Sequence, residues 1–199
     1  MPVGQHKKEA STGHPVGEWG LAHLKEDDMS TTSISDALQK ISNVMVADPE
    51  KARTKGTPAT ARLVEGLRFE VTGPTGESAL TDMPAAMGGA SSAPAPAWLL
   101  RGAIASCTAS VIAIRAAQLG VHLKTLETTV ESESDQRGML GLDESVSAAF
   151  TSMRIRVRIA ADNVAREDLR ALVAWGDAHS PVASTVRNSP VTSVEVEIV

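Results

Sequence analysis

From Trp98 to Leu119 the only charged side chains are Arg101 and Arg115, and this run constrains the fold more than any other part of the chain. Leu100, Ile104, Cys107, Val111 and Ile114 advance by four, three, four and three, so a helix gathers them into one stripe. The other sides are Ala, Ser and Gly, small enough for neighbouring backbone to come close. A helix with so little to offer water has to be central and covered on most sides. Gly120 is placed to end it.

The flanking segments read as shorter elements. Residues 1–33 are polar, lack periodicity and are expected to form a flexible arm, with Lys7, Lys8, His6 and His14 as solvated tail residues. Residues 34–57 read as a short amphipathic helix and linker. Ile34, Leu38, Ile41 and Met45 form its stripe, Ser33 is its expected cap, Asp36 suits its positive end, and Asp48-Pro49 stops it. Thr60–Glu65, Leu67–Gly73 and Glu77–Asp82 read as an antiparallel meander, with a turn at Gly73–Gly76. Val121–Ser134 and Val146–Ala160 form the strongest strand pair. Leu126, Thr128 and Val130 alternate with Glu127, Thr129 and Glu131, while Ile155, Val157 and Ile159 alternate with Arg154, Arg156 and Arg158. A register pairing Glu131 with Arg154 also pairs Glu127 with Arg158; a two-residue slip still matches opposite signs. Cross-strand ion pairs therefore explain the arginines better than an anion-binding or RNA-binding patch does. Val164–Ala178 reads as a second amphipathic helix with Asn163 as its cap, broken at His179-Ser180-Pro181-Val182, and Thr192–Val199 as a closing strand. The order gives an α+β fold with a largely antiparallel sheet, residues 58–199 forming one domain.

Composition removes several functions. A formal charge of −5 supplies no basic footprint for nucleic acid. The N-terminal segment lacks the apolar run of a secretory signal, and the uncharged stretch Gly102–Ile114 is too short to span a bilayer, so a cytoplasmic protein is expected. The five histidines show no ligand spacing, so no metal and no cofactor are expected. Ser106 and Ser110 have no base in view. Cys107, the only cysteine, excludes an internal disulfide and is the strongest latent nucleophile.

Met87-Gly88-Gly89-Ala90-Ser91-Ser92, then Pro96-Ala97-Trp98-Leu99-Leu100, then Ala103-Ile104-Ala105-Ser106-Cys107 resemble the signature of the OsmC/Ohr family, named for osmotic induction and organic hydroperoxide resistance. His179-Ser180-Pro181-Val182, followed by a Val-rich end, resembles the family's second motif. The resemblance covers about residues 58–199 and implies an intertwined homodimer, with antiparallel sheets packed on a long central helix and active sites at the subunit interface. It implies thiol-dependent reduction of organic hydroperoxides, with Cys107 at the position of the attacking cysteine. Ser180 stands at the second cysteine and Ala97 at the family's glutamate, making this a divergent single-cysteine member. Arg68 is the nearest match to the family's arginine and Arg62 a second. His179 is a candidate for the same cleft, although a helix-end histidine bonding terminal carbonyls is the commoner outcome.

Two readings of Cys107 remain open at this point. As a thiol with a pKa of about 8.5 it requires a nearby positive charge to react at neutral pH. It lies more than two turns into its helix, and Arg101 and Arg115 point away, so that charge has to come from Arg68, Arg62 or a partner subunit. The chain is then a one-cysteine peroxidase with an external thiol reductant. Alternatively Cys107 is a small apolar core residue, and the chain is a non-catalytic binder of a small hydrophobic ligand at the dimer interface.

Overall fold

The computed structural model describes residues 31–199, so the N-terminal arm expected over 1–33 lies almost entirely outside the described residues. Helix α1 covers Thr31–Ala47, which puts Ser33 inside the helix rather than at its cap. Leu38 and Met45 are half-buried while Ile34 and Ile41 are exposed, and α1 packs on the long central helix. A short 3-10 turn, Pro49–Ala52, follows where Asp48-Pro49 ends the helix.

Strands β1 (Thr60–Glu65), β2 (Arg68–Thr72) and β3 (Ser78–Thr81) form the expected antiparallel meander. Its placement is unexpected. Among the described residues no more than marginal contact links this three-stranded sheet to any other helix or strand. Every residue of β1 is exposed, Leu63 and Val64 included.

Helix α2 (Pro96–Gln118) starts with Pro96 in its first turn, where the missing N–H costs nothing, and ends before Gly120 at φ +67°. β4 (Leu123–Ser134) and β5 (Phe150–Ala161) form a second antiparallel sheet. Of the two registers the charge pattern allows, the sheet takes the one in which Glu127 faces Arg158 and Glu131 faces Arg154. Arg158 bonds Glu127 at 3.1 Å, while Glu131 meets Arg156 diagonally at 3.5 Å. A short helix the sequence did not suggest, α3 (Gln136–Met139), lies in the connection, and the Asp135 carboxylate caps it by accepting from the Arg137 N–H.

α4 (Arg166–His179) is capped at Ala165 without a side-chain bond, so Asn163 is not its cap. Asn163 instead takes a left-handed turn conformation, φ +56°, which Asn tolerates better than most residues. Glu167 and Asp168 supply the favourable charge in the first turn. α5 (Pro181–Arg187) follows directly, with the Ser180 hydroxyl accepting from the Ala183 N–H.

The core lies between α2, α4 and the β4–β5 sheet. Ile112, Ala116 and Leu172 form its centre, packed by Val121, Leu126, Val157 and Val173 among others. Gly176 lets α4 approach α2, since a Cβ there would collide with Ile112 Cγ1 and fall 3.1 Å from Ile112 Cα.

Three expectations need correction. The most buried row of α2 is Ile104, Thr108, Ile112 and Ala116, one position round from the Leu100–Cys107–Ile114 stripe. The stripe was chosen by hydrophobicity, but a polar Thr108 is hidden because its hydroxyl finds a buried partner. Part of α2 is left uncovered among the described residues, with Trp98 54% and Leu100 38% exposed. By length and composition α2 also suffices to cross a bilayer, a length that Gly102–Ile114 alone did not reach; in the fold it packs on β4–β5 and α4. Finally, Thr192–Val199 forms no strand: it runs exposed, without a strand partner among the described residues.

Candidate functional site around Cys107

The loop that delivers α2 is organised by one carboxylate. Asp82, only 2% exposed at the end of β3, accepts from the N–H groups of Met83 (2.8 Å), Ala90 (3.1 Å) and Ser92 (2.9 Å). It also accepts from the Ser92 hydroxyl at 2.8 Å. The Ser92 N–H is the largest of the influences that hold its carboxyl below the ordinary Asp value, against the opposing effect of burial. Gly89 is required in this loop, since a Cβ there would strike the Met83 carbonyl and lie 2.9 Å from Asp82 Oδ1. Asp82 was not singled out in the sequence. Its signal was available only as an acid just before a Gly/Ser-rich segment full of unpaired N–H groups.

Cys107 sits on α2 beside the buried row and is half-buried, not sealed in the core. Its thiol makes no hydrogen bond among the described residues. Arg101 turns away to Ser132 Oγ at 3.1 Å, and Arg115 lies over the Trp175 ring, 4.8 Å from its centroid.

The other candidates separate into two groups. Ser180 is fully buried and joined to α2: Thr108 Oγ1, on the residue after Cys107, donates to Ser180 Oγ at 3.3 Å. The second motif is thus placed against the segment carrying the first. His179 is exposed, its Nδ1 2.7 Å from the Trp175 carbonyl and its ring stacked on Trp175 at 3.9 Å, so it takes the helix-end role and not a place beside the thiol. Arg62 and Arg68 are not brought to Cys107. Arg62 on β1 donates to Thr72 Oγ1 at 3.2 Å, within the meander. Arg68 on β2 is half-buried, and its Nε is buried without an acceptor. Among the described residues no group of His, Cys, Asp and Glu is arranged to hold a metal ion.

A cleft of about 790 Å³ opens on the other side of α2. Its floor is the inner face of β5, Met153 to Ile159, its walls are α4 and α5, and Arg166, Arg170 and Arg187 stand at its rim. Cys107 does not line it.

A family model described as OsmC-like protein matches residues 88–195, more than half of the chain. The chain belongs to the OsmC-like family. The match begins at Gly88, in the loop tied by Asp82, and takes in Cys107 and the Ser180 segment. Solved structures agree on the fold. An OsmC-like protein from Mycoplasma pneumoniae superposes with a TM-score of 0.58 at 14% identity, over 69% of this chain and 91% of that one. An OsmC-like protein of unknown function from Vibrio cholerae gives 0.56 at 9% identity, over 66% and 94%. An organic hydroperoxide resistance protein OsmC from Legionella pneumophila gives 0.52 at 20% identity, over 68% and 91%. No curated protein sequence matches this chain. At such identities the superpositions establish an OsmC-like α+β fold and leave the chemistry to be argued from the residues.

Proposed function

We propose that this OsmC-like protein is a homodimer that reduces organic hydroperoxides with Cys107 as its sole nucleophile. The observation that supports the reading is the position of Cys107: half-buried on α2, outside the enclosed row, and within the segment that the OsmC-like family model matches. The buried alternative requires a thiol enclosed among apolar side chains, and the enclosed row is the neighbouring one through Thr108 and Ile112.

The dimer is supported by the meander. A three-stranded sheet without a core against which to pack is marginal in water. β1–β3 leaves Leu63, Val64 and Leu67 exposed, and apart from the loop tied to Asp82 it meets the other described elements only marginally. A second copy supplies the missing surface, and α2 has an uncovered flank of matching character. That arrangement also gives the buried, unpartnered Arg68 Nε an acceptor from outside its own chain. We therefore assign Arg68 of the second copy, with Arg62 behind it, as the guanidinium that stabilises the thiolate.

The chemistry balances with an external thiol. The Cys107 thiolate attacks the terminal peroxide oxygen; an S–O bond forms, the O–O bond breaks, and the alkoxide leaves as the alcohol after taking a proton. The sulfur is then a sulfenic acid with no second cysteine to condense with. One molecule of external thiol forms a mixed disulfide and releases water, and a second restores Cys107 as the thiol disulfide departs. Ser180 does not enter this cycle; it holds α5 against α2.

The test is direct. Reduced protein treated with cumene hydroperoxide is expected to give a dimedone adduct on Cys107 under native conditions and to consume peroxide when a small thiol is supplied. Cys107→Ser abolishes both, and Arg68→Met slows peroxide consumption. A thiol that dimedone reaches only after unfolding would refute the peroxidase reading.

A further inference from the structure

Helix α1 lies outside the residues that the family model matches, which begin at Gly88. Beyond marginal contact, among the described residues it meets only α2 and the 3-10 turn that follows it. The linker after that turn, residues 53–59, is exposed throughout. The inward row of α1 is Ser35, Leu38, Ser42 and Met45, all half-buried and spaced by three and four as one helix face. Ile34, Ile41 and Val44 stay exposed.

The other elements leave one side of α2 for this row. α5 reaches α2 at Thr108, through Ser180; α4 reaches it at Ile112, against Gly176, and at Arg115, which lies over Trp175; β4 reaches it at Arg101, through Ser132. At 3.6 residues per turn these four positions fall within about 60° of arc. Cys107, Val111 and Ile114 are centred about 100° from them, yet all three are half-buried. Gly102, Ala105 and Ala109, also half-buried, lie on the opposite side of that arc, next to Ala116 of the core cluster. Ala103, Ser106, Ser110 and Ala113 are exposed. Among the described residues α1 is the one remaining element in more than marginal contact with α2. The Cys107 side is the side left for it to cover.

We infer that α1 lies along the Cys107–Ile114 side of α2 as a strap, with Leu38 and Met45 walling the approach to the thiol and setting the size of molecule that reaches it. The inference rests on the proposed reaction only in naming the peroxide and the reductant thiol as the molecules admitted. Slim ones pass beside α1, and bulky ones wait for it to lift. Lifting is open to a helix held by one packed face and an exposed linker. Trp98 and Leu100, nearer the start of α2, stay open for the second copy.

Alkylation of Cys107 in the reduced, full-length protein tests the strap without using peroxide. Iodoacetamide is the small reagent and N-(1-pyrenyl)maleimide the bulky one, each rate being followed by mass spectrometry and compared with the parent protein. Leu38→Ala combined with Met45→Ala removes the half-buried contacts that hold α1, so the bulky reagent is expected to react about ten-fold faster and the small one at an unchanged rate. Ile41→Ala, on the exposed side of the same helix, is expected to alter neither rate. Unchanged rates for both reagents in the double variant overturn the strap. Equal acceleration of both overturns it too, because that marks a general loosening of the fold. The dimedone experiment separates the two levels. An adduct on protein whose alkylation ignores α1 sinks this inference alone, whereas a thiol that neither reagent nor dimedone reaches before unfolding sinks the peroxidase reading with it.

Discussion

Gly176→Ala probes the contact that sets α4 on α2. In an exposed helix the substitution gains about 1 kcal/mol, because alanine loses less backbone entropy on folding than glycine. At Gly176 the new methyl meets Ile112, which is 0% exposed. It would overlap Cγ1, and the next atoms are backbone, Cα at 3.1 Å and N at 3.2 Å. Forcing a methylene-sized group into a packed site costs about 1–3 kcal/mol and more where backbone has to shift. The clash therefore exceeds the helix gain, giving a net loss of about 1–2 kcal/mol. For a chain of this size that is a melting temperature lower by about 2–8 °C, measurable by scanning fluorimetry and by urea unfolding. The Ile112→Ala background removes Cγ1, so the same Gly176→Ala change is expected to cost less there, a coupling that a double-mutant cycle reads directly. An unchanged or raised melting temperature for Gly176→Ala alone would refute the packing argument, and with it the placement of α4.

Three further outcomes are expected. Asp82 has a folded-state pKa below its unfolded value, so its contribution is complete above the unfolded pKa of about 4 and fades as pH falls through the folded one; Asp82→Asn should lower the melting temperature at pH 7 and flatten its decline below pH 4, as followed by circular dichroism. Ser180→Ala leaves the buried Thr108 hydroxyl without its partner and removes the cap of α5, at a cost of about 1–3 kcal/mol in urea unfolding, and an unaltered midpoint would contradict the buried bond. Arg158→Ala breaks an exposed ion pair with Glu127, so stability should drop by less than about 1 kcal/mol, and high salt should erase the difference.

The sequence by itself determined most of the elements and narrowed the β4–β5 register to two charge-matched choices. Period and charge alternation are local properties: acids on one strand and arginines on the next can match in few ways, and the pairing of Glu127 with Arg158 is one of the two that pattern allows. It also placed Cys107 on the central helix and Ser180 at the break after the second amphipathic helix. Tertiary structure decided which row of α2 is buried, because a polar Thr108 becomes a core residue once Ser180 arrives from far along the chain. It decided that Asp82 gathers the N–H groups of a loop ten residues long, a role no spacing rule announces. It also decided that, among the described residues, the meander joins no other sheet and the last eight residues pair with no strand. Alternation specifies that a strand needs a neighbour but carries no address for it, since every free edge offers the same backbone groups; only the surfaces around each edge distinguish one from another.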